Sequence, residues 1–187
     1  MKQSTEKLAF SGVCIALSMV LGMVKVFSLP MGGSVTACSM LFATLPGFFF
    51  GPAYGLLSGF AYGLISFFLN PEFYSPAQFV VDYIFAFSAL GLSGLFSRKK
   101  HGLYIGYIVA CLGRFFFAFL SGLLFFAAYA PKGMNPAWYS FLYNISYISI
   151  EAGVTIAVLL IPAVHKTIYR LKGKFTREDP VPFSLKK

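Results

Sequence analysis

Apolar runs of about 20 residues recur along nearly the whole chain, separated by short segments rich in proline, glycine or lysine. A run of this length crosses the hydrocarbon core of a bilayer as an α-helix. Of the 187 residues, 58% are hydrophobic and only 11% are charged, and the mean hydropathy is +0.75. A soluble domain needs more charge to cover its surface. The chain is therefore predicted to be an all-α integral membrane protein.

The breaks between the apolar runs predict six transmembrane helices in one compact bundle. The predicted helices cover residues 8–28, 36–50, 52–69, 77–97, 104–128 and 137–165. The connecting segments contain the residues that end helices, as in LPMGGSV, NPEFYSP and SRKKHG. We expect a single transmembrane domain over residues 1–165, followed by a basic tail over residues 166–187.

The cationic residues lie beside the predicted spans, mostly on one side of the membrane. Arg98, Lys99 and Lys100 share one loop, and the segment 166–187 carries further lysine and arginine residues. Six spans place both termini on this side, which the positive-inside rule assigns to the cytoplasm. The net charge of +9 therefore indicates orientation in a cell membrane and contact with anionic lipid, and nucleic-acid binding is not favoured.

Three charged residues fall well inside the predicted spans, namely Asp82, Arg114 and Glu151. Charged residues at this depth usually face the interior of the bundle, where they form a site or an ion pair. Position along the helices places Arg114 and Glu151 at matching depths, which favours an ion pair between these two residues. That pairing leaves Asp82 near the outer face.

A polar stripe is predicted on the sixth helix, and its outer part, around Asn144, lies at the depth of Asp82. Ser140, Asn144, Tyr147 and Glu151 follow one another at spacings of four, three and four residues, which places them on one helical face. Such a stripe can simply join helices. A carboxylate, an amide and several aromatic rings at one depth favour a pocket for a flat cationic ligand instead.

Motifs for the common catalytic chemistries are absent from the sequence. The chain has no glycine-rich phosphate loop and no His-Glu-x-x-His motif, and its cysteines lack metal-ligand spacing. His101 and His165 lie at the ends of spans, away from the intramembrane acids. We therefore expect no catalytic residues, no metal and no cofactor, and an intramembrane enzyme is not favoured.

Five segments together resemble the thiamine-specific substrate-binding (S) component of energy-coupling factor (ECF) transporters. They are PMGGSV (30–35), YGLLSGFAYGL (54–64), QFVVDYIFAFSALGLSGLF (78–96), FLSGLLFFAAYAPKG (119–133) and YSFLYNISY (139–147). The resemblance implies a six-helix bundle in the plasma membrane of a prokaryote. It also implies a vitamin site near the outer face, built from helices 4 to 6 and the loop 29–35.

The resemblance implies specific roles for residues of this chain. Asp82 is expected to be the counter-charge and hydrogen-bond acceptor for a bound aminopyrimidine–thiazolium. The implied substrate-binding residues are Asp82, Tyr83, Tyr62, Gly122, Phe126, Tyr139 and Asn144, to which the polar stripe adds Tyr147 and Glu151. Family members often carry a histidine where this chain has Ala118. A thiamine precursor or a pyridoxine-like vitamin therefore stays open as an alternative ligand.

The resemblance also implies partners, because an S component only captures its substrate. A transmembrane coupling protein and two ATPase subunits would drive import. The small residues Ala9, Gly12 and Ala16 on the first helix are expected to dock on the coupling protein, although packing inside the bundle would account for them equally. A different class of protein also remains open, a proton-coupled secondary transporter of aromatic cations that uses Asp82 or Glu151.

Overall fold

The computed structural model describes residues 2–29, 34–69, 71 and 73–176. Helices make up most of this part of the chain. They are α1 (Lys2–Met23), α2 (Ser39–Phe50), α3 (Pro52–Leu69), α4 (Pro76–Phe96), α5 (Gly102–Phe125), α6 (Pro136–Leu160) and α7 (Pro162–Thr176). The strands β1 (Lys25–Ser28) and β2 (Ser34–Thr36) form an antiparallel hairpin between α1 and α2.

Five of the described helices, α1, α3, α4, α5 and α6, are long and apolar enough to cross a membrane. The predicted all-α membrane protein is therefore confirmed. The apolar helix α2 is shorter, with 12 residues, and at a rise of 1.5 Å per residue it covers only about 18 Å. Six complete crossings and cytoplasmic termini thus stay predictions.

The ends of two predicted helices are wrong. The first helix ends at Met23, and Lys25–Ser28 pairs with Ser34–Thr36, where Val35 is buried and the β1 residues are exposed. The sixth helix ends at Leu160, because Pro162 forces the preceding Ile161 into an extended conformation, with ψ at 119°. A new helix, α7, begins at Pro162. The predicted boundary between the transmembrane domain and the basic tail, at residues 165 and 166, therefore falls inside a helix. The predicted segments 30–33 and 177–187 lie outside the described residues.

The position of α4 is set by an unusually close contact with α3. Gly55, Gly59 and Gly63 repeat every four residues along α3 and face the α4 backbone. A Cβ atom at Gly63 would lie 1.9 Å from the carbonyl oxygen of Tyr83, and one at Gly59 would lie 2.4 Å from that of Phe87. Small residues at this spacing allow two membrane helices to approach until their backbones touch.

Helix α4 changes its winding beside this contact. After one α-helical turn (Pro76–Phe79), the segment Val80–Phe85 is π-helical, and the end of the helix (Ala89–Phe96) is a 3₁₀-helix that packs among α2, α3 and α5. Single π-helical turns occur often at functional sites. Asp82 lies inside the π-helical segment, so the contact with α3 fixes the backbone that carries this carboxylate.

The close contact predicts a stability effect at one position. We expect Gly63→Ala to lower the free energy of unfolding by about 1–3 kcal/mol, because the new methyl group overlaps the Tyr83 carbonyl and must push α4 away. Gly153→Ala on α6 is the matched control, since a Cβ atom there meets no atom within 4 Å. Thermal unfolding in detergent measures both variants. Equal melting temperatures would contradict the close contact.

Candidate ligand site

The polar stripe on α6 faces the interior of the bundle, as predicted. The helix starts at Pro136, after Asn135 caps it by accepting a hydrogen bond from the Ala137 amide at 2.8 Å. Asn144 is only 4% exposed and Glu151 only 3%. A neighbouring stripe residue, Ser140, is also buried. The spacing of four, three and four residues therefore identified a buried face correctly.

Gly122 on α5 allows α6 to approach closely beside Ser140 and Asn144, in the N-terminal half of this stripe. A Cβ atom at Gly122 would lie 2.2 Å from the Ser140 hydroxyl oxygen. The Ser140 hydroxyl donates to the Phe119 carbonyl at 2.8 Å, and the Asn144 amide donates to the Ala118 carbonyl at 3.3 Å. Gly122 thus shapes the site through the spacing of two helices.

Asn144 and Tyr147 form one hydrogen-bonded unit. The Asn144 side-chain nitrogen donates to the Ser140 carbonyl at 2.9 Å, which leaves its oxygen to accept from the Tyr147 hydroxyl at 3.0 Å. Tyr143 packs between two neighbouring rings, with centroid distances of 5.7 Å to Tyr147 and 6.2 Å to Tyr139. The α6 part of the predicted site is therefore a continuous polar and aromatic surface.

Asp82 belongs to a second group, at the start of α4. Its carboxylate accepts a hydrogen bond at 3.2 Å from the side chain of Gln78, which is fully buried. The Gln78 side-chain oxygen accepts from the backbone amide of Tyr74 at 3.4 Å. The ring of Tyr74 contacts Phe126 at a centroid distance of 4.8 Å. Asp82 and Phe126 are thereby connected through Gln78 and Tyr74.

The two groups lie near one another. The π-helical segment that carries Asp82 and the helix α6 that carries Tyr147 both pack against α5, which carries Arg114. The guanidinium of Arg114 lies over the ring of Phe87 at 4.5 Å. The bundle therefore places an acid, a cation and a hydrogen-bonded amide around one region between α4, α5 and α6.

Tyr62 and Tyr83 lie on the α3 side of α4, apart from Asn144. The Tyr62 hydroxyl donates to the Ser18 carbonyl at 3.4 Å, and its ring meets Phe87 edge-on at 4.8 Å. Tyr83 stacks on the same Phe87 at 6.2 Å and packs against Phe67 at 5.2 Å. These tyrosines form an aromatic wall behind Arg114.

Arg114 and Glu151 lie within electrostatic range of each other, but among the described residues they do not form the direct ion pair that was predicted. The Glu151 carboxylate instead accepts four hydrogen bonds where the hairpin meets α2. Two come from the Thr36 amide and hydroxyl, at 3.3 and 2.6 Å, and two from the Ser39 hydroxyl and the Met40 amide, at 3.0 and 3.1 Å. Amide groups in the first turn of a helix lack partners within that helix and favour a negative charge. Glu151 therefore caps α2 from a distant helix.

Several residues of this region were missed as site residues. Thr36 and Ser39 stand just before an apolar run, and serine and threonine are favoured at helix starts, a signal that could have identified them. Gln78 precedes Asp82 by four residues, a spacing that places the two on one face of a helix, but its complete burial has no signal in the sequence. No sequence signal identifies Tyr74.

The small residues of α1 face away from the bundle. Ala9, Gly12 and Ala16 are all exposed, and a Cβ atom at Gly12 would meet no atom within 4 Å. Packing inside the bundle does not account for these residues. They leave a smooth strip on a helix whose other outward residues, such as Leu8 and Val13, are large and apolar.

The chain is similar over most of its length to known transport proteins. A sequence model described as "Thiamine transporter protein" matches residues 8–170. "Thiamine transporter ThiT" of Bacillus subtilis is 33% identical over 165 residues, which is 80% of this chain and 83% of that protein. A protein of the same description from Lacticaseibacillus paracasei is 31% identical over 98 residues, 46% of this chain and 49% of that one.

A solved structure shows the same fold. ThiT from Listeria monocytogenes superimposes with a TM-score of 0.75 at 22% identity, covering 90% of this chain and 98% of that one. Together with the apolar helices, the bacterial relatives indicate a multi-pass protein of a bacterial plasma membrane. By the family match over residues 8–170 and the identity to the Bacillus protein, this chain belongs to the thiamine transporter protein family.

Proposed function

We propose that this chain is the substrate-binding S component of an ECF transporter and captures thiamine from outside the cell. Membership of a transporter family supports uptake as the function. The relatives from Bacillus and Lacticaseibacillus, both described as thiamine transporters, support thiamine as the ligand. The missing phosphate-binding motif supports capture rather than ATP hydrolysis by the chain itself.

The placement of Asp82 is the observation that carries the proposal. A carboxylate inside a membrane helix is costly, and function usually accounts for it. Asp82 is held by the buried Gln78 in a π-helical segment near the start of α4, and Gln78 connects it to Tyr74, just before α4, and to Phe126, just after α5. In our proposal the carboxylate balances the charge of the thiazolium and accepts a hydrogen bond from the aminopyrimidine.

The other proposed site residues act in two ways. Asn144, Tyr147, Tyr139 and Phe126 supply hydrogen bonds and aromatic faces on which a flat cation can stack. The remaining residues shape the pocket. Gly122 sets the spacing of α5 and α6, and Glu151 holds the start of α2 through its hydrogen bonds. Tyr62 and Tyr83 form the aromatic wall behind Arg114.

The charge of Asp82 predicts the size of one affinity change. We expect Asp82→Asn to weaken thiamine binding by about 1.5–3 kcal/mol, the scale of a hydrogen bond to a charged group. This corresponds to about a 10- to 150-fold higher dissociation constant. Calorimetric titration of the purified protein measures it, without nucleotide or partner proteins.

The matched control for this substitution is Glu6→Gln. It removes the same charge from the first turns of α1, at the opposite end of the bundle, and should leave the dissociation constant unchanged. If both variants bind thiamine equally well, Asp82 is not the counter-charge. The proposed site would then be wrong.

The proposed partners follow from the capture role. We infer that the exposed strip of Ala9, Gly12 and Ala16 on α1 contacts a transmembrane coupling protein, which two ATPase subunits drive. Without a hydrophobic force between helices in lipid, close van der Waals contact stabilises such an interface, and small residues permit that contact.

A further inference from the structure

A cavity of about 500 Å³ lies at the end of the bundle opposite Asp82. It is lined by residues from the start of α1, the connection between α2 and α3, the end of α4 with the loop that follows it, and the helix α7. None of the residues that line it belongs to the proposed thiamine site.

The cavity is strongly cationic. Lys7, Arg98 and Lys172 all line it, and none of its described lining residues is acidic. Three positive charges around one space repel one another, and an anion between them relieves this repulsion. The charges therefore indicate that the cavity receives a negative group.

Two of the cationic groups are held in place by aromatic rings and a backbone carbonyl. The Lys7 ammonium lies 5.6 Å from the ring centre of Tyr54 and 5.8 Å from that of Phe50. The Lys172 ammonium lies 4.0 Å from the ring centre of Phe48 and donates a hydrogen bond to the Ser97 carbonyl. Both side chains thus have contacts that favour one position.

The wall formed by α7 is firmly packed against the bundle. Phe10 of α1 stacks on Phe49 at 4.6 Å and meets Phe175 of α7 at 4.8 Å. Tyr169 of α7 packs against Phe48 at 5.6 Å. The cavity is therefore a formed feature of the fold.

We propose that this cavity binds the phosphate group of an anionic phospholipid. It lies where membrane helices end, which is the level of lipid headgroups, and basic pockets between membrane helices are known to receive such headgroups. Phe50 and the exposed Leu95 add apolar surface beside the charges, which suits the glycerol and the start of an acyl chain. This inference does not depend on the identity of the captured vitamin.

Native mass spectrometry of the full-length protein tests the proposal. The protein is released from micelles containing equal amounts of dioleoyl phosphatidylglycerol and dioleoyl phosphatidylcholine. We expect retention of one phosphatidylglycerol, weakened about fivefold by each of Lys7→Gln and Arg98→Gln. Lys100→Gln, which removes the same charge from the loop of Arg98 but outside the cavity, should retain the lipid as the wild type does.

Three results would overturn binding of an anionic phospholipid in the cavity. The first is an equal loss of phosphatidylglycerol in Lys100→Gln, and the second is equal retention of both lipids. The third is displacement by inorganic phosphate at the concentration of phosphatidylglycerol, which would identify a free-anion site. Lys172 is not substituted in this experiment because its ammonium also donates a hydrogen bond to the Ser97 carbonyl. If Lys7→Gln does not fold, the exposed Arg98 still provides the comparison with Lys100.

Discussion

Glu151→Gln is expected to lower the free energy of unfolding by about 2–4 kcal/mol. The carboxylate accepts hydrogen bonds from the Thr36 amide and hydroxyl, the Ser39 hydroxyl and the Met40 amide. A glutamine has the same shape, but its amide nitrogen would face donors instead of accepting from them. One of the two backbone amides, that of Thr36 or that of Met40, would then lose its acceptor.

Thermal or denaturant unfolding in detergent measures this effect, with Glu6→Gln as the control. Because Glu151 is engaged by the protein itself, the folded Glu151→Gln variant should lose less thiamine affinity than Asp82→Asn. Wild-type stability of Glu151→Gln would show that the carboxylate does not hold α2 and the hairpin to α6. An affinity loss as large as that of Asp82→Asn would instead support direct contact with the ligand.

Gly12→Trp and Ala16→Trp are expected to abolish ATP-dependent uptake while thiamine affinity stays normal. Both positions are exposed on α1, so a tryptophan can be accommodated without disturbing the bundle. It would, however, hold a docking helix several ångströms away and remove the dispersion contacts that stabilise association in lipid. The two readouts are affinity in the isolated protein and uptake in the reconstituted complex.

Gly153→Trp on α6 is the matched control for the docking prediction. Gly153 is also exposed, and a Cβ atom there also meets no atom within 4 Å. This variant should keep both affinity and uptake. Normal uptake in the two α1 variants would contradict docking through this strip. Uptake that survives loss of the ATPases but stops with the proton gradient would instead identify a secondary transporter.

The pattern of long apolar runs and their breaks predicted most of the helices, because lipid requires long apolar segments. The prediction of helix ends failed where an apolar run continues beyond the end of the helix. Residues 25–28 extend the first apolar run, yet they pair with Ser34–Thr36 as a strand. Pro162 ends α6 despite apolar residues on both sides. Local backbone restrictions determined both ends.

The site was predictable where one helical face determines it. The stripe of Ser140, Asn144, Tyr147 and Glu151 follows from spacing alone. The partner of Glu151 does not, because it depends on which helix end lies beside α6 in the folded bundle. The π-helical winding at Asp82 likewise lies beside the close contact between α3 and α4, and that contact is a property of two packed helices rather than of one sequence segment.

Titration of the purified chain with thiamine tests the capture function most directly. The titration contains no ATP, no coupling protein and no ATPase. An S component binds its substrate alone, so we expect saturable heat with one site per chain, and we expect Asp82→Asn to weaken it. A protein that unfolds normally but shows no heat with thiamine, its pyrimidine precursor or pyridoxine would contradict the capture function.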